Sequence, residues 1–248
     1  PLLDQLHEIE AQVRNRLLVH HDWAFGGKTG RGKGNAVMFL GPSGTGKTLA
    51  AEALATRLRM DLFRVDLGAT VSKYIGETEK NLARIFDAAE RGGSILLFDE
   101  ADALFGKRSE VKESKDRYAN IEVSYLLQRL ESFTGLIILT TNLRDSIDQA
   151  FMRRLRNVVE FPFPSSTFRE QIWRRTLIGK IPLGDINFEK LARLSVSGGT
   201  IRNIAMSAVY RAANEEMDKR LEMQHLKEAA RGCVACTKGG TQYDVKYV

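Results

Sequence analysis

The sequence predicts an α/β chain: a parallel sheet sandwiched by helices, followed by a small all-helical domain. Three observations carry that prediction. Five short apolar runs alternate with helix-period segments over 36–161, a glycine-rich loop joins the first run to the first helix, and after FPFP at 161–164 the strand signals stop. Strands that alternate with helices imply parallel pairing, because each return to the sheet crosses over through a helix.

The elements follow in order. Leu2, Leu6, Ile9, Val13 and Leu17 recur at helical spacing and predict an amphipathic helix over 2–18. The stretch GGKTGRGKG at 26–34 reads as a flexible connector. Strands are predicted at 36–40, 62–66, 94–99, 136–141 and 158–161, with helices at 47–59, 77–91, near 117–132 and at 147–155. Helical segments at 166–178, 187–195, 200–215 and 222–231 complete the pattern. The expected organisation is an N-terminal helix (1–20), an α/β core (21–164), a helical lid domain (165–231) and a tail (232–248). No internal repeat or low-complexity tract is evident.

Composition narrows the class. At 248 residues and 43% hydrophobic content the chain can bury a full core. No run of eighteen apolar residues and no signal-like start is present, which reads as a soluble, cytoplasmic protein without a membrane partner. A net charge of +6 on a chain that is 27% charged reads as a solvated surface with phosphate-binding residues, ahead of nucleic-acid binding. The first residue is Pro1 rather than methionine, which fits a piece of a longer protein. The two cysteines, Cys233 and Cys236, form a C-x-x-C in the tail. Zinc would need two more ligands, the four histidines show no paired spacing, and a redox pair lacks its usual strand-to-helix context, so no metal site is read there.

The loop GPSGTGKT, residues Gly41, Pro42, Ser43, Gly44, Thr45, Gly46, Lys47 and Thr48, fits G-x-x-x-x-G-K-[ST]. Its chemistry is anion capture. Glycines let consecutive backbone N–H groups turn inward around a phosphate, and the helix opening at Lys47 aims its positive end at the same place. Lys47 would reach the β and γ phosphates of ATP, and Thr48 would ligate Mg²⁺.

A second signal lies in SILLFDEAD at 94–102, where a buried apolar run ends in Asp99 and Glu100. Paired carboxylates at a buried strand end are costly unless a cation or a water needs them. Asp99 suits the Mg²⁺ shell, and Glu100 suits polarisation of a water attacking the γ-phosphate. The run LIILTTN places Asn142 at a third strand end, in a fold whose ligands gather at the C-terminal ends of the strands. Its amide would bond the γ-phosphate or orient water, or else it is an ordinary turn residue.

The ordered set GPSGTGKT, VSKYIGETEKNL, ILLFDEADALFGKR, LTTN, AFMRRLRNVVEFPFP and SGGTIRNIAMSA resembles the AAA ATPases over about residues 20–230. The resemblance makes Lys47 and Thr48 the Walker A pair, Asp99 and Glu100 the Walker B pair, and Asn142 the sensor. It makes Arg153 and Arg154 fingers that reach a neighbouring subunit's ATP, a role their planar donor forks suit. It places Lys73, Tyr74, Ile75 and Gly76 in a pore loop gripping polypeptide, where bare sequence would read Tyr74 as packing. Arg202 is the candidate for a lid arginine on the nucleotide, although the classical branch often lacks one. The charged stretch 105–118 reads as a second pore loop or a solvated connection.

The wording of several of these motifs is closest to bacterial AAA ATPases associated with phage-tail-like contractile injection systems. Taken together, the resemblance implies an Mg²⁺-dependent ATPase that forms a homo-oligomeric ring, a hexamer, and remodels, unfolds or disassembles a protein substrate through a central pore, with an injection particle as a candidate substrate. The competing readings are a nucleic-acid-handling loader or initiator, which lacks a helix-turn-helix or zinc module here, and a nucleotide-gated scaffold without turnover, which the full set of site residues does not favour.

Overall fold

The structure is a computed structural model that describes residues 2–25, 35–66, 77–102, 125–142, 152–153, 155–215 and 219–236. The chain separates into two compact units, one of residues 1–42 and 47–161, the other of residues 43–46 and 162–248.

In the first unit, five parallel strands form one sheet: β1 (Asn35–Leu40), β2 (Leu62–Val65), β3 (Ile95–Phe98), β4 (Leu136–Thr141) and β5 (Asn157–Glu160). Their order is β2-β3-β4-β1-β5, with Leu40 paired to Thr141 and Phe98 to Leu139. Strands β1, β3 and β4 are buried along their whole length, which is why they read as continuous apolar runs rather than alternating ones.

Alternate residues of each strand serve opposite faces. Met38, Leu96, Phe98, Ile137 and Leu139 pack against Leu82, Phe86 and Ala89 of α3 (Glu77–Gly92) and against Leu126, Leu127 and Leu130 of α4, helical over 125–132. Val37, Phe39, Ile95, Leu97 and Ile138 pack on the other face against Ala51, Leu54 and Ala55 of α2 (Lys47–Leu58) and against Ile9 of α1 (Leu2–Arg14). Leu82, Phe86 and Ala89 stand four and three residues apart, so they fall on one stripe of α3. That helix stops at Gly92 and Gly93, the latter at φ +62°, where a side chain would be strained.

The N-terminal helix is tied down by an ionic contact as well as by Ile9, which is 1% exposed. Glu10 accepts from Arg57 Nε at 2.8 Å and from Arg14 Nε at 3.0 Å, while Arg14 Nη2 donates to the Arg57 carbonyl at 2.8 Å. The helix is shorter than its apolar spacing predicts: it ends at Arg14, and a π-helical turn, Leu18–Asp22, follows.

The second unit is helical: α5 (Ser166–Thr176), α6 (Phe188–Ala192), α7 (Gly198–Ala213) and α8 (Met223–Cys236). Ser165, Asn187 and Ser197 cap the first three, each side chain accepting from a backbone N–H three residues on. Trp173, Leu191, Ile201, Ile204, Leu221 and Leu226 form its core. Within this unit the Gly199 N–H donates to the Gly44 carbonyl at 2.9 Å. Helix α8 runs to Cys236, past the residue 231 expected from spacing, because Cys233 continues its apolar face into that core.

The expected strand positions are all occupied. The predicted helix at 147–155 falls almost wholly outside the described residues, as does 117–124 of the helix before β4. Among the described residues no helix is long and apolar enough to cross a membrane.

Candidate functional site

Strand order brings the candidate residues together. Because β4 lies between β1 and β3, the C-terminal ends of all three strands stand side by side. Gly41 follows β1, Asp99 follows β3 and Asn142 follows β4.

Lys47, the first residue of α2, is buried and donates three hydrogen bonds: to the Gly41 carbonyl at 2.6 Å, the Pro42 carbonyl at 3.0 Å and Asn142 Oδ1 at 2.7 Å. A lysine ammonium only donates, so the Asn142 amide must present its oxygen. Burial pushes the Lys47 ammonium below the ordinary lysine pKa, opposed by the charges of Asp102, Asp99 and Glu100.

The Thr48 hydroxyl lies 3.2 Å and 3.3 Å from the two Asp99 oxygens. Thr140 Oγ1 donates to Asp99 Oδ1 at 2.6 Å, and Arg64 Nη2 sits 2.8 Å from Asp99 Oδ2. Glu100 is exposed and its backbone lies at φ +53°, held there by its N–H donating to Thr140 Oγ1 at 3.0 Å. A non-glycine residue in this region is strained, and such strain gathers at functional sites.

The glycines are demanded by geometry. Gly41 has φ +151°, and a Cβ there would lie 2.2 Å from the Phe161 carbonyl oxygen. Gly46, at φ +100°, has nothing within 4 Å of an added Cβ, so its positive φ alone calls for glycine. The ammonium, hydroxyl and carboxylate of Lys47, Thr48 and Asp99 are a set that fits a nucleotide phosphate with Mg²⁺: hard oxygens for the cation, a positive donor for the anion.

Three contributors were not singled out from sequence. Asp102 accepts from the Thr141 hydroxyl and from the Asn142 N–H at 3.1 Å, which fixes the residue that holds Lys47. Thr140 and Arg64 complete the shell of Asp99. Asp102 stands in the DEAD run and Thr140 and Thr141 in LTTN, but their pairings span about forty residues and appear only once β3 and β4 are neighbours.

Arg153 is exposed just before β5, and Arg154 lies outside the described residues, as do Lys73, Tyr74, Ile75 and Gly76. Ser43, Gly44, Thr45 and Gly46 group with the helical unit, and Arg202 is exposed near the start of α7.

A phosphate-binding loop, a lysine at a helix start and acids at adjoining strand ends define a P-loop ATP hydrolase. The chain belongs to the AAA family: the family model described as "ATPase family associated with various cellular activities (AAA)" matches residues 37–163. It is 32% identical over 211 residues to the 26S proteasome regulatory subunit 10B of Dictyostelium discoideum, covering 82% of this chain and 53% of that protein. It is 33% identical over 202 residues to the proteasome-activating nucleotidase of Saccharolobus islandicus, covering 78% and 51%. To the 26S proteasome subunit RPT4 of Saccharomyces cerevisiae it is 33% identical over 191 residues, covering 73% and 44%. The chain spans about half the length of these relatives.

These matches correct the sequence-based assignment to bacterial ATPases of contractile injection systems. The similarity is to archaeal and eukaryotic proteasomal ATPases. Short motifs misled because each covers only a handful of residues, and stretches that serve a shared task recur across branches, so their wording separates branches poorly. Identity over some two hundred residues also weighs the packing positions that phosphate does not constrain.

Proposed function

We propose that this chain is an Mg²⁺-dependent ATPase that assembles as a ring of six copies and uses hydrolysis to unfold or remodel a protein substrate drawn through a central pore. Lys47 and the loop glycines hold the phosphates, Thr48 and Asp99 hold Mg²⁺, Glu100 orients and polarises the attacking water, and Asn142 senses the γ-phosphate. Bound Mg²⁺ would neutralise charge on the transferring phosphoryl group.

The observation that carries assembly is the position of Arg153. It is exposed ahead of β5, at the N-terminal edge of a parallel sheet, while Lys47, Asp99 and Asn142 gather at the C-terminal edge. Arg153 therefore does not serve the site of its own chain. A guanidinium supplied by a second copy is worth about 10³ to 10⁵ in rate. Arg154 takes the same role beside it, Arg202 contacts nucleotide from the lid, and Tyr74, with Lys73, Ile75 and Gly76, grips the substrate. The relatives named as proteasome regulatory subunits and as a proteasome-activating nucleotidase support a polypeptide substrate.

The test is ATP hydrolysis per subunit against protein concentration, with Glu100→Gln and Arg153→Ala alongside. Activity that rises with concentration and is lost in both variants supports the ring. Specific activity unchanged down to monomer would sink it.

A further inference from the structure

Asp99 is already neutralised by a cation of its own chain. Its side chain is 10% exposed, and a carboxylate so buried is costly without a counter-charge. Oδ1 takes the Thr140 hydroxyl at 2.6 Å, and the Thr48 hydroxyl lies between both oxygens, which leaves Oδ2 to Arg64 at 2.8 Å. The arginine itself is 67% exposed and rises from β2, the edge strand. Withdrawing it to solvent therefore costs the protein little packing.

We propose that Arg64 is a placeholder for the metal: it occupies Asp99 while Mg²⁺ is absent and must release Oδ2 when Mg²⁺ is taken up. This rests on the reading of Thr48 and Asp99 as the Mg²⁺ residues. The two cations compete for one carboxylate, so Arg64 lowers metal affinity and protects the empty site from an uncompensated buried charge. It acts through Asp99 and is a positioning residue.

The test is metal affinity without turnover. Mn²⁺ binding is followed by electron paramagnetic resonance on the full chain with a non-hydrolysable ATP analogue, for wild type, Arg64→Gln, Arg64→Lys and Asp99→Asn. Arg64→Gln is expected to bind Mn²⁺ about 3- to 10-fold more tightly, the scale of a lost ion pair with one desolvated partner. Arg64→Lys, which keeps the charge, is expected to remain near wild type. In the metal-free, nucleotide-free protein, Arg64→Gln is expected to lower the melting temperature, and Mg²⁺ with nucleotide to restore it. Unchanged or weaker Mn²⁺ binding in Arg64→Gln would overturn the placeholder role while leaving the site standing. Unchanged Mn²⁺ binding in Asp99→Asn would overturn the metal site itself, and the role of Arg64 with it.

Discussion

Lys47 Nζ donates to Asn142 Oδ1 across 2.7 Å, joining the start of α2 to the end of β4 through two residues far apart in sequence. The loop lysine is satisfied by three of the protein's own oxygens. On the proposed function, nucleotide binding would exchange those bonds for phosphate oxygens, and Asn142 would register what Lys47 holds.

Replacing Asn142 by alanine is therefore expected to spare nucleotide binding and to reduce turnover by about 10². Fluorescent ADP binding and kcat, measured on the same preparation, separate the two. A loss of binding equal to the loss of kcat would show that Asn142 acts on the loop alone.

Asp102 hydrogen-bonds Thr141 and Asn142 and acts on Lys47 only through its charge, so Asp102→Ala should act at one remove. The expected effect is a fall in kcat of about 10-fold with KM for ATP little changed, the pattern of an interaction used mainly in the transition state. A raised KM at constant kcat would place Asp102 in ground-state binding instead.

Gly41→Ala and Gly46→Ala test two reasons for glycine. At Gly41 the new methyl meets the Phe161 carbonyl oxygen at 2.2 Å on top of torsional strain, and a loss of about 3 kcal/mol is expected. At Gly46 nothing stands within 4 Å, which leaves only the torsional cost of about 1 kcal/mol. Urea unfolding midpoints check the order of the two variants.

The anchor of α1 carries a pH signature. Arg57, hydrogen-bonded to Glu10, holds that carboxyl below the ordinary glutamate value of about 4.5, with Arg14 acting in the same direction. A depressed carboxylate stabilises the fold fully above its unfolded pKa, and that contribution is lost as pH falls through the folded value. The melting temperatures of wild type and Glu10→Gln should differ at neutral pH and converge below about pH 4.5. A gap that persists in acid would mean that packing rather than charge is at stake.

Trp173 is fully buried, and its Nε1 has no hydrogen-bond partner among the described residues. Trp173→Phe removes a buried donor along with some volume, so it is expected to cost about 1 kcal/mol or less, against about 3 to 5 kcal/mol for Trp173→Ala. Thermal melts of the two variants decide whether that donor is a liability to the helical unit.

The sequence by itself determined where the strands run, because β1, β3 and β4 are buried on both faces and leave unbroken apolar runs. It also determined Lys47, Thr48, Asp99 and Glu100 as candidates, since phosphate and metal chemistry demand those residue types at close spacing. Asn142 was visible only as a polar strand end with two readings. What the tertiary structure decided is who touches whom. The order β2-β3-β4-β1-β5 brings Arg64 to Asp99, Asp102 to Thr141 and Asn142 to Lys47. Local periodicity reports how each segment is buried, but pairs separated by about 35 to 95 residues are set by strand neighbours, which no local pattern encodes.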